Sequence, residues 1–279
     1  MKVVITGITG AVGPFVVAEL EKGHDLTLFA RRAIETKHRL VQGDLTSPDD
    51  CQHALEGAEA VVHLGGVSEP APKAFHVNAC GTYHLMEAAH AKGLSRVIMA
   101  STNCVYGHCF RISNRPFPLE FLPIDETHPC RPEDNYGISK KLDEEILAIY
   151  SHTWGIRTAA MRLNWVWGPQ EINWWTETSD NELERFAPYF WAYVDARDTA
   201  RAFRLALEAS ELPGHGVYNI SAADTMAGED SLEIAKRFYP DVKLNSELAG
   251  RTSFFDWTQA NLAFGYEPQH SWRDGWKSS

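Results

Sequence analysis

Through its first 165 residues the chain alternates short, β-branched apolar runs with stretches of helical periodicity, and this alternation restricts the fold more than any other feature. Residues 2–6 (KVVIT) form an apolar run that ends in glycines, and residues 14–21 place apolar side chains at helical spacing. The same reading gives strands over 25–29, 40–42, 60–64, 96–100 and 158–163. It gives helices over 48–55, with Ser47 as its cap, 78–92 and 139–152. Strands joined through helices must run parallel, with both sheet faces covered, so the expected fold class is α/β, a doubly wound parallel sheet over residues 1–164.

After residue 164 the pattern loosens, and Trp165, Trp167, Trp174, Trp175 and Trp191 crowd a stretch with few aliphatic runs. A helix over 196–209, a strand over 217–220 and a helix over 231–238 follow. This predicts a smaller C-terminal region, 165–279, that caps the sheet and binds substrate, with segments near 190–220 returning to the first domain. The Pro- and Phe-rich loop over 107–135 is long for a compact domain, which points to a functional loop.

Charge and composition exclude several classes. With 37 acidic against 26 basic side chains the net charge is -11, which repels a nucleic-acid backbone. No apolar run approaches the roughly 20 residues that span a bilayer, and residues 1–6 lack a signal peptide's features, so a cytoplasmic, membrane-free protein is expected. The five cysteines show no CxxC spacing and read as small buried thiols, and the twelve histidines include no HExxH pair, so no metal is expected.

Directly after the first strand stands Thr6-Gly7-Ile8-Thr9-Gly10-Ala11-Val12-Gly13, a GxxGxxG turn that opens a helix. Glycines allow the tight turn, and free amides at a helix N-terminus attract a pyrophosphate, which makes the sheet Rossmann-like and residues 7 and 9–13 cofactor-binding. The second strand ends in Ala30-Arg31-Arg32, where NAD-specific folds place an acid. Arg31 and Arg32 suit a 2′-phosphate, so NADP is the expected cofactor, with NAD the alternative.

Tyr136 and Lys140 stand one helical turn apart in YGISK, on one face. An ammonium beside a phenol lowers its pKa from near 10 toward neutrality, so Tyr136 can exchange a proton with an alcohol/ketone pair while Lys140 tunes it and holds ribose hydroxyls. Ala100-Ser101-Thr102-Asn103 follows the apolar strand 96–100 and emerges at a carboxyl end of the sheet, where Thr102 can orient the reacting oxygen.

These residues resemble the extended short-chain dehydrogenase/reductases, in particular the NAD-dependent epimerase/dehydratase group. Eight ordered motifs carry the resemblance: TGITGAVG at 6–13, Gly43-Asp44-Leu45, VVHLGG at 61–66, Asn78 with Gly81-Thr82, STNCVYG at 101–107, YGISK at 136–140, Arg162 with Asn164 and Trp167-Gly168-Pro169, and YVDARDTARA at 193–202. The resemblance implies hydride transfer with Tyr136, Lys140 and Thr102 in the roles above. It implies an adenine contact at Asp44, and further cofactor contacts at Leu45, Leu64, Gly65, Gly66, Asn78, Ala100 and Leu163. It also implies a homodimer formed through the helices that carry Asn78 and Tyr136.

Within the group, HLGGVS at 63–68, ASTN at 100–103 and RPEDNYGISK at 131–140 are similar to uronate dehydrogenases and related archaeal sugar dehydrogenases, which implies sugar contacts at Ser68 and Asn103. Asn164-Trp165-Val166-Trp167-Gly168-Pro169 is closer to the epimerases, and Asn164 and Trp165 join Thr102 as substrate-binding candidates. No residue is clearly the carboxylate-binding arginine of the uronate enzymes: Arg185 has the rough position, yet reads as a solvated helix residue. Asn103 and Cys104 replace the dehydratases' Asp-Glu pair, and an amide cannot protonate a leaving hydroxyl, which disfavours dehydration.

The expected function is oxidoreduction of a sugar or sugar-derived alcohol/carbonyl. A nucleotide-sugar 4-epimerase that retains its cofactor is the alternative. A non-catalytic NADP-binding protein is a third reading, disfavoured by the presence of both Tyr136 and Lys140. About 115 residues follow Leu163, little wall for enclosing a whole nucleotide sugar.

Overall fold

The computed structural model describes residues 1–69, 71–178 and 183–276. In chain order the elements are β1 (Lys2–Thr6), α1 (Gly13–Leu20), β2 (Asp25–Ala30), β3 (Arg39–Gln42), α2 (Pro48–Ala54), β4 (Ala60–His63), α3 (Pro72–Phe75), α4 (Gly81–Ala91) and β5 (Arg96–Thr102). There follow β6 (Phe121–Leu122), α5 (Asn135–Trp154), β7 (Arg157–Leu163), β8 (Trp165–Trp167), α6 (Pro169–Thr178) and α7 (Leu183–Phe186). The chain continues through β9 (Tyr193–Asp195), α8 (Ala196–Glu208), β10 (His215–Ile220), α9 (Ser231–Phe238), β11 (Lys243–Leu244) and α10 (Thr258–Phe264).

Seven strands form one parallel sheet in the order β10-β7-β5-β4-β1-β2-β3, as a doubly wound fold requires. Chain order reverses between β1 and β4, which opens a crevice at their carboxyl ends. Alternation along β1 sends Val3 and Ile5 to one face, packed with Val16 and Leu20 of α1 and Phe203 and Leu207 of α8, and Val4 to the other, with Leu85 and Met86 of α4 and Leu147 of α5. Such two-faced burial explains why the strands read as continuous apolar runs.

A third core lies beyond the sheet, where Trp167, Trp175, Phe190, Trp191, Phe254 and Phe255 are fully buried. The long loop over 107–135 packs here through Phe117, Leu122 and Ile124, and its β6 pairs with β11. Short β8 and β9 pair in parallel beside it. Among the described residues no helix is long and apolar enough to cross a membrane.

Two helices differ from their sequence expectation. The helix expected over 78–92 begins at Gly81, because residues 76–80 form a π-turn that continues from α3 and carries Asn78. The helix expected from residue 139 begins at Asn135, because the Asp134 side chain accepts hydrogen bonds from the amides of Tyr136 and Gly137. Gly137 disguises that first turn, yet the packing demands a small residue: a Cβ there would lie 2.9 Å from Pro132 Cβ and 3.0 Å from the Cys104 carbonyl oxygen.

Candidate active site

The glycine turn connects β1 to α1 at the crevice. Gly7 has φ 71°, and a Cβ on it would lie 2.4 Å from Gly65 N, so this turn and the loop after β4 touch through bare backbone. A Cβ on Gly13 would strike Ile8 O at 2.3 Å. No described side chain caps α1; Gly10 N and Gly13 N are bonded within the turn to Gly7 O at 3.0 Å and Gly10 O at 3.1 Å and Pro14 has no N–H, so the amides that this turn leaves to a ligand are those of Ala11 and Val12. His63 ties the same region together: its ring bonds Thr6 Oγ1 at 2.7 Å and Thr82 Oγ1 at 3.1 Å, and Thr6 Oγ1 also accepts from Gly65 N. Burial holds His63 neutral, with its pKa pushed down to about 3.

Two cavities meet at this turn, and both are lined by Gly7, Gly10, Leu64, Gly65 and Gly66. The smaller, about 480 Å³, extends over Thr9, Arg31, Arg32, Asp44 and Leu45. Asp44 Oδ1 accepts from the Thr46 amide at 2.9 Å and its hydroxyl at 2.8 Å, which with nearby Arg31 keeps the carboxylate ionised. The larger, about 730 Å³, runs from Ala11, Val12 and Gly13 past Ala100 and Leu163 to Ser68, Thr102, Asn103, Tyr136, Lys140, Asn164 and Trp165. A cradle that admits no Cβ, the unbonded amides of Ala11 and Val12, an ionised carboxylate and two arginines fit a dinucleotide across both cavities.

Asn78 stands apart from the other expected cofactor residues, because it lines neither cavity. Its Oδ1 accepts from Val67 N at 2.7 Å, and its Nδ2 donates to Val67 O at 3.0 Å and Ser139 Oγ at 2.9 Å. The amide is consumed in fixing the cavity loop to α5, and the π-turn is what places it there.

Thr102 Oγ1 accepts from the Cys104 amide at 3.2 Å, which leaves its proton to donate toward the phenol of Tyr136. Lys140 Nζ donates to Asp143 Oδ2 at 2.8 Å, and both side chains are buried. The expected lowering of the Tyr136 pKa is not what this arrangement produces. Burial pushes the phenol well up from its ordinary value, the Cys104, Cys109 and Asp143 side chains add to the rise, and the Thr102 hydrogen bond opposes it. One turn further along α5, Glu144 takes a two-point ion pair from Arg162 at 2.9 and 2.8 Å and a hydrogen bond from Ser101 at 2.7 Å. These bonds outweigh burial, keep Glu144 below the usual carboxylate range and fix α5 to β5 and β7.

On the substrate side, Asn103 Nδ2 donates to Asn164 Oδ1 at 2.6 Å. Asn164 Nδ2 is buried and has no hydrogen-bond partner among the described residues. Trp165 stacks on Phe186 at 6.0 Å and 25°. Arg185 is exposed, as expected, but at the cavity rim, over the Phe186 ring at 5.3 Å. Cys109, Phe110, Glu171, Phe186, Tyr189 and Met226 also line this cavity and went unnoticed in the sequence. Of these, Cys109 and Phe110 lie in the long loop that had signalled function by length alone.

A glycine cradle at the switch point of a doubly wound sheet, opening onto a Thr-Tyr-Lys set, defines the extended short-chain dehydrogenase/reductase class. Residues 3–221 match the model of the NAD dependent epimerase/dehydratase family, and the chain belongs to that family. It is 32% identical over 221 residues to an L-arabinose 1-dehydrogenase (NAD(P)(+)) of Haloferax volcanii, covering 75% of this chain and 83% of the relative. It is 36% identical over 122 residues to a uronate dehydrogenase of Pseudomonas syringae pv. tomato, 43% of this chain and 41% of that one. A UDP-glucose 4-epimerase of Corynebacterium glutamicum is 25% identical across 97% of this chain and 92% of its own. Among solved structures, a short-chain dehydrogenase/reductase superfamily protein from Agrobacterium tumefaciens with bound NAD superposes with TM-score 0.74 at 24% identity, covering 98% of this chain and 94% of that one.

Proposed function

We propose that this protein is an NAD(P)-dependent oxidoreductase that moves a hydride between the nicotinamide and a hydroxyl or carbonyl carbon of a sugar or sugar-derived substrate. The observation that carries this reading is that Thr102, Tyr136 and Lys140 line a cavity continuous with the glycine cradle. Bound there, the dinucleotide supplies the hydride acceptor or donor. The amides of Ala11 and Val12, in the bare-backbone turn of Gly10 and Gly13, hold its pyrophosphate, Asp44 and Leu45 its adenine end, and Lys140 the nicotinamide ribose. Tyr136 takes the hydroxyl proton during oxidation and returns it to the carbonyl oxygen during reduction. Thr102 orients that oxygen, and Ser68, Asn103, Asn164 and Trp165 contact the sugar. Residues 165–178, 183–195 and 221–276 form the cap.

NADP is the preferred form, with NAD as alternative, because Arg31 and Arg32 line the adenosine cavity and Ala30 offers no carboxylate to the ribose. A homodimer through α4 and α5 is supported by the exposed Tyr83, Leu142, Ile149 and Trp154 on those helices. The 4-epimerase reading remains the second candidate, favoured by likeness to the Corynebacterium enzyme over nearly the whole chain. A panel of L-arabinose, uronates, other aldoses and UDP-glucose with NAD and NADP decides between them. Net reduction of the cofactor is expected with a free sugar or sugar acid, whereas isomerised UDP-sugar without net reduction establishes the epimerase. Neither outcome across the panel overturns both.

A further inference from the structure

Among the described residues, three that are not glycine have positive φ. Phe190 (55°) and Trp191 (47°) are fully buried in the aromatic core, whose packing accounts for them. Phe110 (46°) is instead 39% exposed and lines the substrate cavity. Bulky side chains rarely adopt this conformation, and they persist in it only where their surroundings over-determine it.

The surroundings do so by fastening residues 106–113 across residues 131–133, the segment that leads into α5. Before Phe110, Arg131 N donates to Tyr106 O at 3.1 Å, and a Cβ on Gly107 would lie 1.9 Å from Arg131 O. Beyond it, Glu133 accepts from the amides of Ile112 at 2.8 Å and Ser113 at 2.7 Å, and from the Ser113 hydroxyl at 2.7 Å. Arg111 joins the two fastenings: it pairs with Glu133 at 2.7 Å and donates to Gly107 O at 2.9 Å. The next residue, Asp134, caps the helix that carries Tyr136. Adjacent carboxylates therefore hold the Phe110 loop and the Tyr136 turn, which fixes one ring relative to the other.

Those rings meet edge to face, with centroids 6.4 Å apart at 75°, the one ring contact of Phe110 among the described residues. Phe110 is the more exposed of the two, so it stands on the solvent side of the Tyr136 ring. An apolar ring held there against its backbone preference adds little to the packing of the fold. Its place at the cavity is explained by what enters.

We propose that Phe110 is a specificity-determining residue: its ring is the wall beside Tyr136 that discriminates against the additional hydroxymethyl group of a hexose, and Arg111 and Glu133 are the positioning residues that hold it there.

The inference rests on the oxidoreductase reading, so one arm of its test needs no substrate. Phe110→Gly removes the ring and keeps the turn, because glycine takes a positive φ without strain, and Phe110→Leu keeps apolar bulk. Phe110→Asn serves if the glycine variant does not fold. N-Acetylimidazole acetylates accessible phenols, and its rate at Tyr136, read by peptide mass spectrometry, should rise several-fold in Phe110→Gly and much less in Phe110→Leu. Where a panel sugar is oxidised, kcat/KM is compared between a pentose and the hexose of matching configuration, L-arabinose with D-galactose or D-xylose with D-glucose. The hexose-to-pentose ratio should rise about tenfold in Phe110→Gly, the lower end of what one carbon unit is worth against an apolar wall. Arg111→Ala, which leaves the ring but frees its loop, should move the ratio the same way by less, with dinucleotide affinity unchanged. An acetylation rate unmoved by Phe110→Gly, an unmoved sugar ratio, or an equal loss of rate with every sugar overturns the proposal. If the wild type oxidises no panel sugar, the oxidoreductase reading fails instead, and the acetylation rates alone decide whether Phe110 walls the site.

Discussion

The two ends of the crevice are built in different ways. At the nucleotide end the critical surface is backbone: Gly7 and Gly13 lie where any Cβ meets main-chain atoms within 2.4 Å, and the motif that forms the turn is eight consecutive residues. At the substrate end the surface is made of side chains from several separated segments, around Ser68, Thr102, Phe110, Tyr136, Trp165, Phe186 and Met226. A backbone cradle is set by local geometry and tolerates little change, whereas a wall assembled from distant side chains can be rebuilt one residue at a time. Relatives that include an arabinose dehydrogenase, a uronate dehydrogenase and a UDP-glucose epimerase are what such a division produces.

The largest effect that separates the two ends is expected from Tyr136→Phe. Removing one hydroxyl from the substrate end should lower turnover by about 10²–10⁴-fold, the usual worth of a general acid or base, while dinucleotide affinity stays within about twofold. Single-turnover kinetics and fluorescence titration with NAD(P)H measure the two quantities. A parallel loss of affinity would show that the ends are not separable.

A smaller, complementary effect is expected at the nucleotide end. Arg31→Ala should weaken NADP about tenfold relative to NAD, as loss of one charge-assisted hydrogen bond implies, without altering the ratio of turnover among sugars. Equal weakening of both cofactors would remove the role assigned to the guanidinium, and a changed sugar preference would again break the division.

The same contrast governs what the sequence made legible. Strands such as β1 and β4 announce themselves through β-branched apolar runs, and YGISK places Tyr136 and Lys140 on one helix face by spacing alone. Asn78 was a cofactor candidate by its motif, but its amide is spent on Val67 and Ser139, because a π-turn that periodicity does not report sets its direction. Asp143 belongs to no motif, and its burial against Lys140 is set by the packing around α5. Phe110, Phe186 and Met226 meet only in three dimensions, so no local pattern could have joined them.

A last effect, on stability rather than on binding or turnover, compares two buried histidines, one in each region. His63, at the nucleotide end, bridges Thr6 and Thr82, whereas His108, in the aromatic core with Phe117, Phe190 and Phe255, has neither ring nitrogen bonded among the described residues. Burial pushes both down to about 3. In the unfolded chain each ring takes up a proton below about pH 6.5, while the folded protein does so only near its lowered value, so each costs stability progressively as the pH falls from about 6.5 toward about 3. His108→Leu removes two unbonded nitrogens along with the titration. It should stabilise the protein by about 1 kcal/mol at pH 7, with an advantage that widens by about 2 kcal/mol at pH 5. His63→Leu should destabilise at pH 7, because it strands the Thr6 and Thr82 hydroxyls. Urea midpoints at the two pH values test the pair. If His108→Leu proves as damaging as His63→Leu, the His108 ring is bonded within the aromatic core, and the polar order ascribed to the nucleotide end extends across the crevice.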